Sequence, residues 1–421
     1  MRKMILFCLF IAVLAFFTGC SNNTSSDKVT SMHDLEVPEG FNFETTHLLK
    51  VMAYGPETRT LFVAQTNGVI VYKGLLDASA GFNETILLPT SICALDFRYN
   101  GEVITRNITP TTETVYLNFT ATNREVLEDT DGDGVPDDED DFPLDSLLCY
   151  LNEFPPQDTT RCRNYGTIAY EDRWPSEGDY DFNDVILNYY ITECTNRWNS
   201  VRYIYFYLYY SVDGAGFNNG MYFKLPYDAG GYAYYNYPHS DEQFDAYLED
   251  GNVYVRLFEA AQTYMPDPPT FHNTEEGSGF TQPLYFEIEI DLYDADMPDD
   301  PTIECFPPYN PYIVIDQTPG REAHFANYTP SNVVDIAWFN TQDDTSDPGS
   351  GRYYVTALDL PWGIHLPTMF DNPLERVSII NAYPQFADWV TSGGMTNTDW
   401  YNYPAEGNVY NFIEQASNIL D

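Results

Sequence analysis

The chain has 421 residues, of which 64 are Asp or Glu and 19 are Lys or Arg, and its formal net charge is −45. A surface this acidic repels the phosphates of nucleic acids and the headgroups of anionic lipids, which excludes a nucleic-acid partner and a basic membrane-binding helix and favours metal cations as counter-ions. Hydrophobic residues still make up 43% of the chain and aromatic residues 16%, so it is no disordered acidic tail and is long enough for two hydrophobic cores.

Residues 1–19 predict a secretory signal peptide, with a basic start, an apolar run at 4–17 and small residues before Cys20. The apolar run is too short for a membrane-spanning helix. The position of Cys20 directly after a small residue resembles the lipobox of bacterial lipoproteins, which implies that Cys20 carries the lipid. The alternative is an ordinary cleaved signal with an incidental cysteine. Residues 20–37 are predicted to be a flexible tether, because 21–28 contain no apolar side chain.

Residues 38–126 are predicted to form a small N-terminal β-sandwich. Short runs rich in β-branched and aromatic residues alternate here with turn signals such as Thr66-Asn67-Gly68 and Tyr99-Asn100-Gly101. The predicted strands are 47–53, 60–64, 69–72, 85–88, 102–108 and 114–119.

An acidic linker at 127–145 separates this sandwich from the rest of the chain. Its acids occupy the first, third, fifth, ninth and twelfth places of a calcium loop, with Gly134 at the sixth place for a sharp turn and a backbone carbonyl at the seventh. The pattern resembles a single thrombospondin type 3 or dockerin-like calcium repeat, and we expect calcium to rigidify the linker and fix the angle between the domains. The alternative is a solvated acidic linker without an ion. The predicted ligands are Asp129, Asp131, Asp133, Val135, Asp137 and Asp140.

Residues 146–421 are predicted to form a larger β-rich domain. The run at 201–212 is dense in Tyr and Ile and has no helical period, which predicts a central strand buried on both faces. The predicted strands are 167–170, 185–192, 201–212, 221–225, 253–258 and 284–292.

One amphipathic helix is predicted near the C-terminus. Asn372 suits its N-cap, Pro373 its first turn and Glu375 its third position, while Gly393-Gly394 would end it and Pro384 would interrupt it. The predicted fold class is therefore mostly β, with two β-sandwich-like domains joined by the acidic linker and a C-terminal helix packed on the larger domain.

A second candidate metal site lies at 171–184. Asp179, Asp181 and Asn183 repeat the first three ligand spacings of a calcium loop, but Asp184 stands where such a loop needs Gly. Strand alternation would place Asp181 and Asn183 on one face. The alternative is a polar turn whose side chains bond their own backbone. The candidate ligands are Glu171, Asp172, Asp179, Asp181, Asn183 and Asp184.

Another acidic cluster, at 342–347, has the composition of an ordinary surface loop. It would share a calcium site only if the chain folded it beside Glu171 or Asp181.

The segment YEDRWPSEGDYDFNDVILNY at 170–189 resembles the opening hallmark of the LruC-domain family of bacterial envelope lipoproteins. The resemblance continues in order over about 166–403, and it implies a lipidated, envelope-located protein with a β-rich domain. It implies no established molecular activity. Further segments that carry it are Asp213-Gly214-Ala215-Gly216, Pro307-Pro308-Tyr309-Asn310-Pro311 and Arg321-Glu322-Ala323-His324.

In an oxidising envelope compartment the cysteines beyond Cys20 would pair, and because they number five, at least one stays free or pairs between chains. Cys149 and Cys162 are the nearest pair and the candidate disulfide. No C-x-x-C occurs and the His residues are scattered, so a structural zinc site has no support. The cysteines beyond Cys20 are Cys93, Cys149, Cys162, Cys194 and Cys305.

No H-E-x-x-H, G-x-S-x-G or phosphate-binding Gly-Lys-Ser/Thr motif occurs, so we expect no enzymatic activity. A Tyr-rich segment would suit stacking on sugar rings, or its rings are half-buried strand residues. Its members are Tyr227, Tyr232, Tyr234, Tyr235 and Tyr237.

These observations together predict a calcium-binding protein of the bacterial cell envelope, anchored by lipid in the outer membrane on a face that the sequence does not specify. The predicted role is non-catalytic binding or adhesion, with a glycan or protein ligand. The alternative is a carbohydrate-binding or carbohydrate-processing surface protein.

Overall fold

The structure is a computed structural model. The predicted signal peptide, Cys20, Cys162, Tyr227 and Tyr237 lie outside the residues that it describes, and for 231–236 and 246–249 it describes the backbone. The described residues are 29–122, 127–158, 163–214, 216–226, 231–236, 246–249, 252–263, 271–277, 279–292, 306–417 and 419.

The N-terminal part of the chain folds as a two-sheet sandwich. Its strands are β1 (Thr46–Tyr54), β2 (Arg59–Gln65), β3 (Ile70–Leu76), β4 (Phe82–Pro89), β5 (Ala94–Tyr99), β6 (Glu102–Asn107) and β7 (Thr114–Asn118). One sheet has the order β4-β1-β7 and the other the order β3-β2-β5-β6. Apolar side chains that alternate along the strands meet between the sheets and are fully buried, among them Leu49, Val51, Leu61, Val63 and Phe97.

The larger domain also contains two sheets. Its strands are β8 (Tyr150–Phe154), β9 (Gly166–Tyr170), β10 (Val185–Thr195), β11 (Val201–Val212), β12 (Gly220–Pro226), β13 (Gly231–Asn236), β14 (Ala246–Glu249), β15 (Asn252–Phe258), β16 (Leu284–Leu292), β17 (Asn310–Val314), β18 (Glu322–Ala323) and β19 (Gly363–Leu366). The first sheet has the order β13-β16-β11-β10-β9-β19, with β8 also paired to β10. The second sheet has the order β14-β15-β12-β17-β18.

The first of these sheets is covered on both faces. Along β10, Leu187 and Tyr189 pack towards the second sheet, whereas Ile186 and Tyr190 pack towards a helical layer. Strand β11 lies between β10 and β16, which confirms its predicted central position. Only its C-terminal half is buried on both faces, because alternate residues of its first half are half-buried. The predicted mostly β, sandwich-like fold is confirmed.

The helical layer contains α1 (Ile379–Ala382), α2 (Phe386–Thr391) and α3 (Phe412–Ala416). The prediction that one helix starts at Asn372 is wrong. The amides of Leu374 and Glu375 donate instead to Asn408 and Thr274. Arg376 has a φ of 62°, which an α-helix does not accommodate. The predicted interruption is present, because Pro384 lies between α1 and α2.

The N-terminal segment before β1 packs on the same layer. Met32, Leu35 and Phe43 are buried there, and the Phe43 ring lies 6.2 Å from that of Trp389. The predicted tether at 20–37 is therefore wrong for its described part, 29–37, which is docked, while 20–28 lie outside the described residues. Among the described residues, no helix combines the length and the apolar character needed to cross a bilayer.

Candidate metal centres

The 129–140 loop has the backbone that its spacing predicts. Gly132 and Gly134 have φ values of 82° and 97°, a region that favours glycine. The carboxylate of Asp129 accepts hydrogen bonds from both glycine amides, at 2.8 and 3.1 Å. These bonds close the sharp turn at the sixth place of the loop.

Three predicted ligands converge in this turn. Asp129, Asp131 and Asp133 each offer a carboxylate oxygen, and these oxygens lie within 4.8 Å of one another. Calcium binds oxygens at about 2.4 Å, so ligands on opposite sides of one ion lie about 4.8 Å apart. The three carboxylates therefore fit a single coordination sphere. Burial, followed by the charges of Asp133 and Asp129, raises the pKa of Asp131.

The other predicted ligands of the loop are placed differently. Asp140 accepts from the Phe142 amide through Oδ1, and burial, with the nearby charges of Asp133 and Asp131, raises its pKa to about 7. Both oxygens of Asp137 accept from Thr130, at 2.7 Å each, and this carboxylate is not among the three that converge.

Two oxygens of the loop are left without protein donors. Oδ2 of Asp131 and Oδ2 of Asp140 are buried and have no hydrogen-bond partner in the part of the chain that the structure describes. The seventh-place residue, Val135, has a fully buried side chain, and its amide donates to Asp133 at 2.7 Å.

The loop is held by both β-domains. On the N-terminal side, the Thr60 amide donates to Glu139 at 2.9 Å and the Lys73 ammonium pairs with Asp141. Val135 of the loop packs in a small cluster with Leu75 of the sandwich and with Cys149 and Tyr150 of the larger domain. Residues of both domains therefore surround it. We call this region the interdomain joint.

Cys149 is part of the joint and not of a disulfide. It is a free thiol, and its Sγ donates to Oδ2 of Asp133 at 2.8 Å. Burial, together with the hydrogen bond to Asp133, raises the pKa of the thiol well above its usual range. Cys162, its predicted partner, is outside the described residues.

The second candidate site is more deeply buried. Glu171 follows β9, while Asp181 and Asn183 precede β10, and all three side chains are at most 1% exposed. Tyr180 and Phe182 have φ values of 59° and 50°, in the left-handed region of backbone conformation. The segment between β9 and β10 is therefore not a regular strand.

The carboxylates of Glu171, Asp179 and Asp181 form what we call the buried acidic centre. Their ligand oxygens lie within 4.8 Å of one another. Burial, followed by the charge of Asp179, raises the pKa of Glu171, and burial, followed by the charge of Glu171, raises that of Asp181. Three acids in such a place repel one another unless protons or a cation neutralise them.

Asp172 and Asp184 lie beside this centre as a pair of their own. The Asp172 amide donates to Oδ2 of Asp184 at 2.8 Å, and the Asn219 amide group donates to Oδ2 of Asp172 at 2.9 Å. Burial raises the pKa of both carboxyls.

The 342–347 cluster lies beside this region, but its carboxylates already accept hydrogen bonds from protein groups. Asp343 accepts from the Glu177 amide at 3.0 Å. Asp344 accepts from the Trp174 indole at 3.0 Å and from the Asn340 amide at 2.9 Å. These bonds fit a structural loop better than a shared metal site.

Sequence reasoning missed the contribution of Glu375. It lies beside the buried acidic centre, because the amide of the next residue, Arg376, donates to Asp181 at 2.7 Å. Burial, and then the charge of Asp179, raises the pKa of Glu375 to about 7. Its Oε2 atom is buried and has no hydrogen-bond partner among the described residues. No spacing signal links Glu375 to residues almost two hundred positions earlier, and its place beside Asn372-Pro373 suggested a helix cap instead.

Comparison with known proteins gives a coarse context for this geometry. Residues 199–401 match the sequence model of a family described as "Domain of unknown function (DUF4842)". The chain is also similar to a crystal structure described as a "Putative lipoprotein from Bacteroides ovatus", with 16% identity, a TM-score of 0.47 and coverage of 85% of this chain and 93% of that chain. No curated protein sequence matches the chain. The LruC and thrombospondin resemblances stay predictions.

Proposed function

We propose that this protein is a lipid-anchored component of the bacterial cell envelope with a non-catalytic binding or adhesion role, and that calcium in the 129–140 loop locks its two β-domains together. The observation that carries the proposal is the convergence of Asp129, Asp131 and Asp133 inside the interdomain joint. The envelope address rests on the signal peptide and on Cys20.

The joint explains why an ion there would matter for the whole molecule. Asp133 is 4% exposed and Cys149 1% exposed, so the loop is packed against the larger domain and not suspended in water. Other loop residues are bonded to the N-terminal sandwich through Thr60 and Lys73. A cation that neutralises the convergent carboxylates would hold the loop in the one backbone conformation that contacts both domains.

The donor set favours calcium over other divalent metals. All candidate ligand atoms are oxygens, which suits hard cations. The nearby sulfur of Cys149 donates a hydrogen bond to Asp133, whereas zinc binds thiolates. A loop with several acids suits the variable geometry of calcium better than the strict octahedron of magnesium.

Calorimetric titration of calcium chloride into the purified mature protein tests the proposal. The double variant Asp131→Asn with Asp133→Asn should lose one bound calcium per chain, while Asp138→Asn should keep it, because Asp138 is exposed and is not a predicted ligand. Small-angle scattering should show a wider range of shapes after chelation in the wild type. Unchanged calcium stoichiometry in the double variant, or a wild type that binds no calcium, would overturn the proposal.

A further inference from the structure

We propose that the buried acidic centre is a second calcium site, separate from the 129–140 loop, and that the ion bound there fastens the C-terminal helical layer to the larger domain. Its ligands would be Glu171, Asp179 and Asp181, with Glu375 completing the set from the C-terminal segment. This site goes beyond the proposed function, because it lies in a different part of the fold and does not need the joint.

The first observation is an unsatisfied buried carboxylate. Glu171 is 0% exposed, and its Oε1 accepts from the Phe182 amide at 2.7 Å. Its Oε2 has no partner anywhere in the described ranges. A buried carboxylate oxygen without a donor is costly, and a bound cation is one of the ways in which proteins satisfy it.

The second observation is that the backbone makes room for this oxygen. A methyl group added at Gly178 would lie 1.6 Å from Oε2 of Glu171, so the carboxylate rests directly against the glycine. The φ of Gly178 is not positive, so the turn itself does not require glycine at this position. Glycine at this position instead leaves the space that the Glu171 carboxylate occupies.

The third observation is that, among the described residues, little positive charge lies at the centre. Arg376 approaches Glu375 at 3.8 Å, but its side chain is 76% exposed. Arg321 is engaged elsewhere, because its Nε donates to the Trp174 carbonyl at 2.9 Å. Asp179 is exposed, so the centre meets solvent at this residue.

The centre is bonded directly to the segment that leads into α1. The Arg376 amide donates to Oδ2 of Asp181 at 2.7 Å, and the Asn183 side chain donates to the Pro373 carbonyl at 3.0 Å. The Ile379 amide, at the first residue of α1, donates to the Tyr180 carbonyl at 2.7 Å. An ion that fixes Asp181 therefore also fixes the start of the helical layer.

Native mass spectrometry in calcium chloride counts the bound ions, and hydrogen exchange of α1 and α2 reports the docking of the helical layer. Asp179→Asn is the first variant, because its exposed side chain can change without unfolding the core. Gly178→Ala is the second, because it displaces Glu171 and removes no charge. Both should weaken calcium binding at this site by at least about tenfold and leave the loop site intact.

Two variants serve as matched controls. Glu276→Gln removes one exposed carboxylate, and Gly216→Ala adds a methyl group where nothing lies within 4 Å, so both should bind calcium as the wild type does. Chelation should speed exchange in α1 and α2 of the wild type. The inference would be overturned if Asp179→Asn and Gly178→Ala both bound calcium as the wild type does. It would also be overturned if chelation left the hydrogen-exchange rate of α1 unchanged. Loss of an ion only in the loop double variant would support the proposed function alone.

Discussion

His365 should make the protein lose stability in mild acid. The residue lies on β19, is 5% exposed, and its Nε2 atom is 2.5 Å from the Tyr189 hydroxyl. Burial lowers the pKa of the imidazole from 6.5 to about 3. The unfolded chain therefore takes up a proton below pH 6.5 that the folded chain refuses, so the stabilisation is complete above that pH and is lost as the pH falls towards 3.

The size of the effect follows from this shift. Between pH 8 and pH 5, proton uptake by the unfolded state alone should lower the free energy of unfolding by about 2 kcal/mol. Buried carboxyls such as Glu171 and Asp181 have raised pKa values and change stability in the opposite direction, so the total pH dependence is a sum of opposing contributions. A difference between two chains isolates the contribution of His365.

The assay is urea unfolding of the wild type and of His365→Gln at pH 8 and pH 5. Glutamine keeps a polar group near Tyr189 and cannot take up a proton in this range. The wild type should lose about 2 kcal/mol more than the variant on acidification. If the stability difference between the two chains is the same at both pH values, the imidazole does not stay neutral in the fold and the reasoning fails.

Three further predictions concern other parts of the molecule. A maleimide should label the exposed Cys93 in the folded protein, whereas Cys149 and Cys194, whose thiol pKa values are raised by burial, should react only after unfolding; equal labelling by peptide mapping would contradict this. Cys20→Ser should move the protein from the membrane fraction to the soluble fraction, as seen by immunoblot of fractionated cells. Trp389→Ala should lower the free energy of unfolding by about 3–5 kcal/mol, measured in urea, because the indole is fully buried among aromatic rings.

The strands could be predicted from the sequence because alternation and β-branched residues act locally. The predicted strands at 201–212 and 284–292 have the observed bounds of β11 and β16. Strand β5 was missed, although Ala94–Tyr99 alternates between buried and half-buried residues. Its sequence includes Asp96 and Arg98, which carry the half-buried face and weaken the apolar signal.

The C-terminal helix shows where local signals fail. The capping residues before it suit a helix start, but the amide of Glu375 bonds to Thr274 and the amide of Arg376 to Asp181. Both partners come from distant parts of the chain. Tertiary hydrogen bonds of this kind override local propensity, and nothing within the 372–379 sequence reveals them.

The two candidate metal centres also differ in how far the sequence could predict them. The turn that gathers Asp129, Asp131 and Asp133 is local, so its spacing could be recognised. The buried acidic centre combines 171 with 179–181 across the gap between two strands, and it is bonded to the C-terminal segment. Sequence reasoning could nominate Glu171 and Asp181 but could not show that their oxygens meet.

The docking of the N-terminal segment on the helical layer would determine the orientation of the protein at a membrane. Met32 is already buried in that layer, and described structure begins at Val29. A chain from a lipid on Cys20 to Val29 spans at most about 30 Å when fully extended. A lipid on Cys20 would therefore keep the helical side of the larger domain close to the bilayer surface.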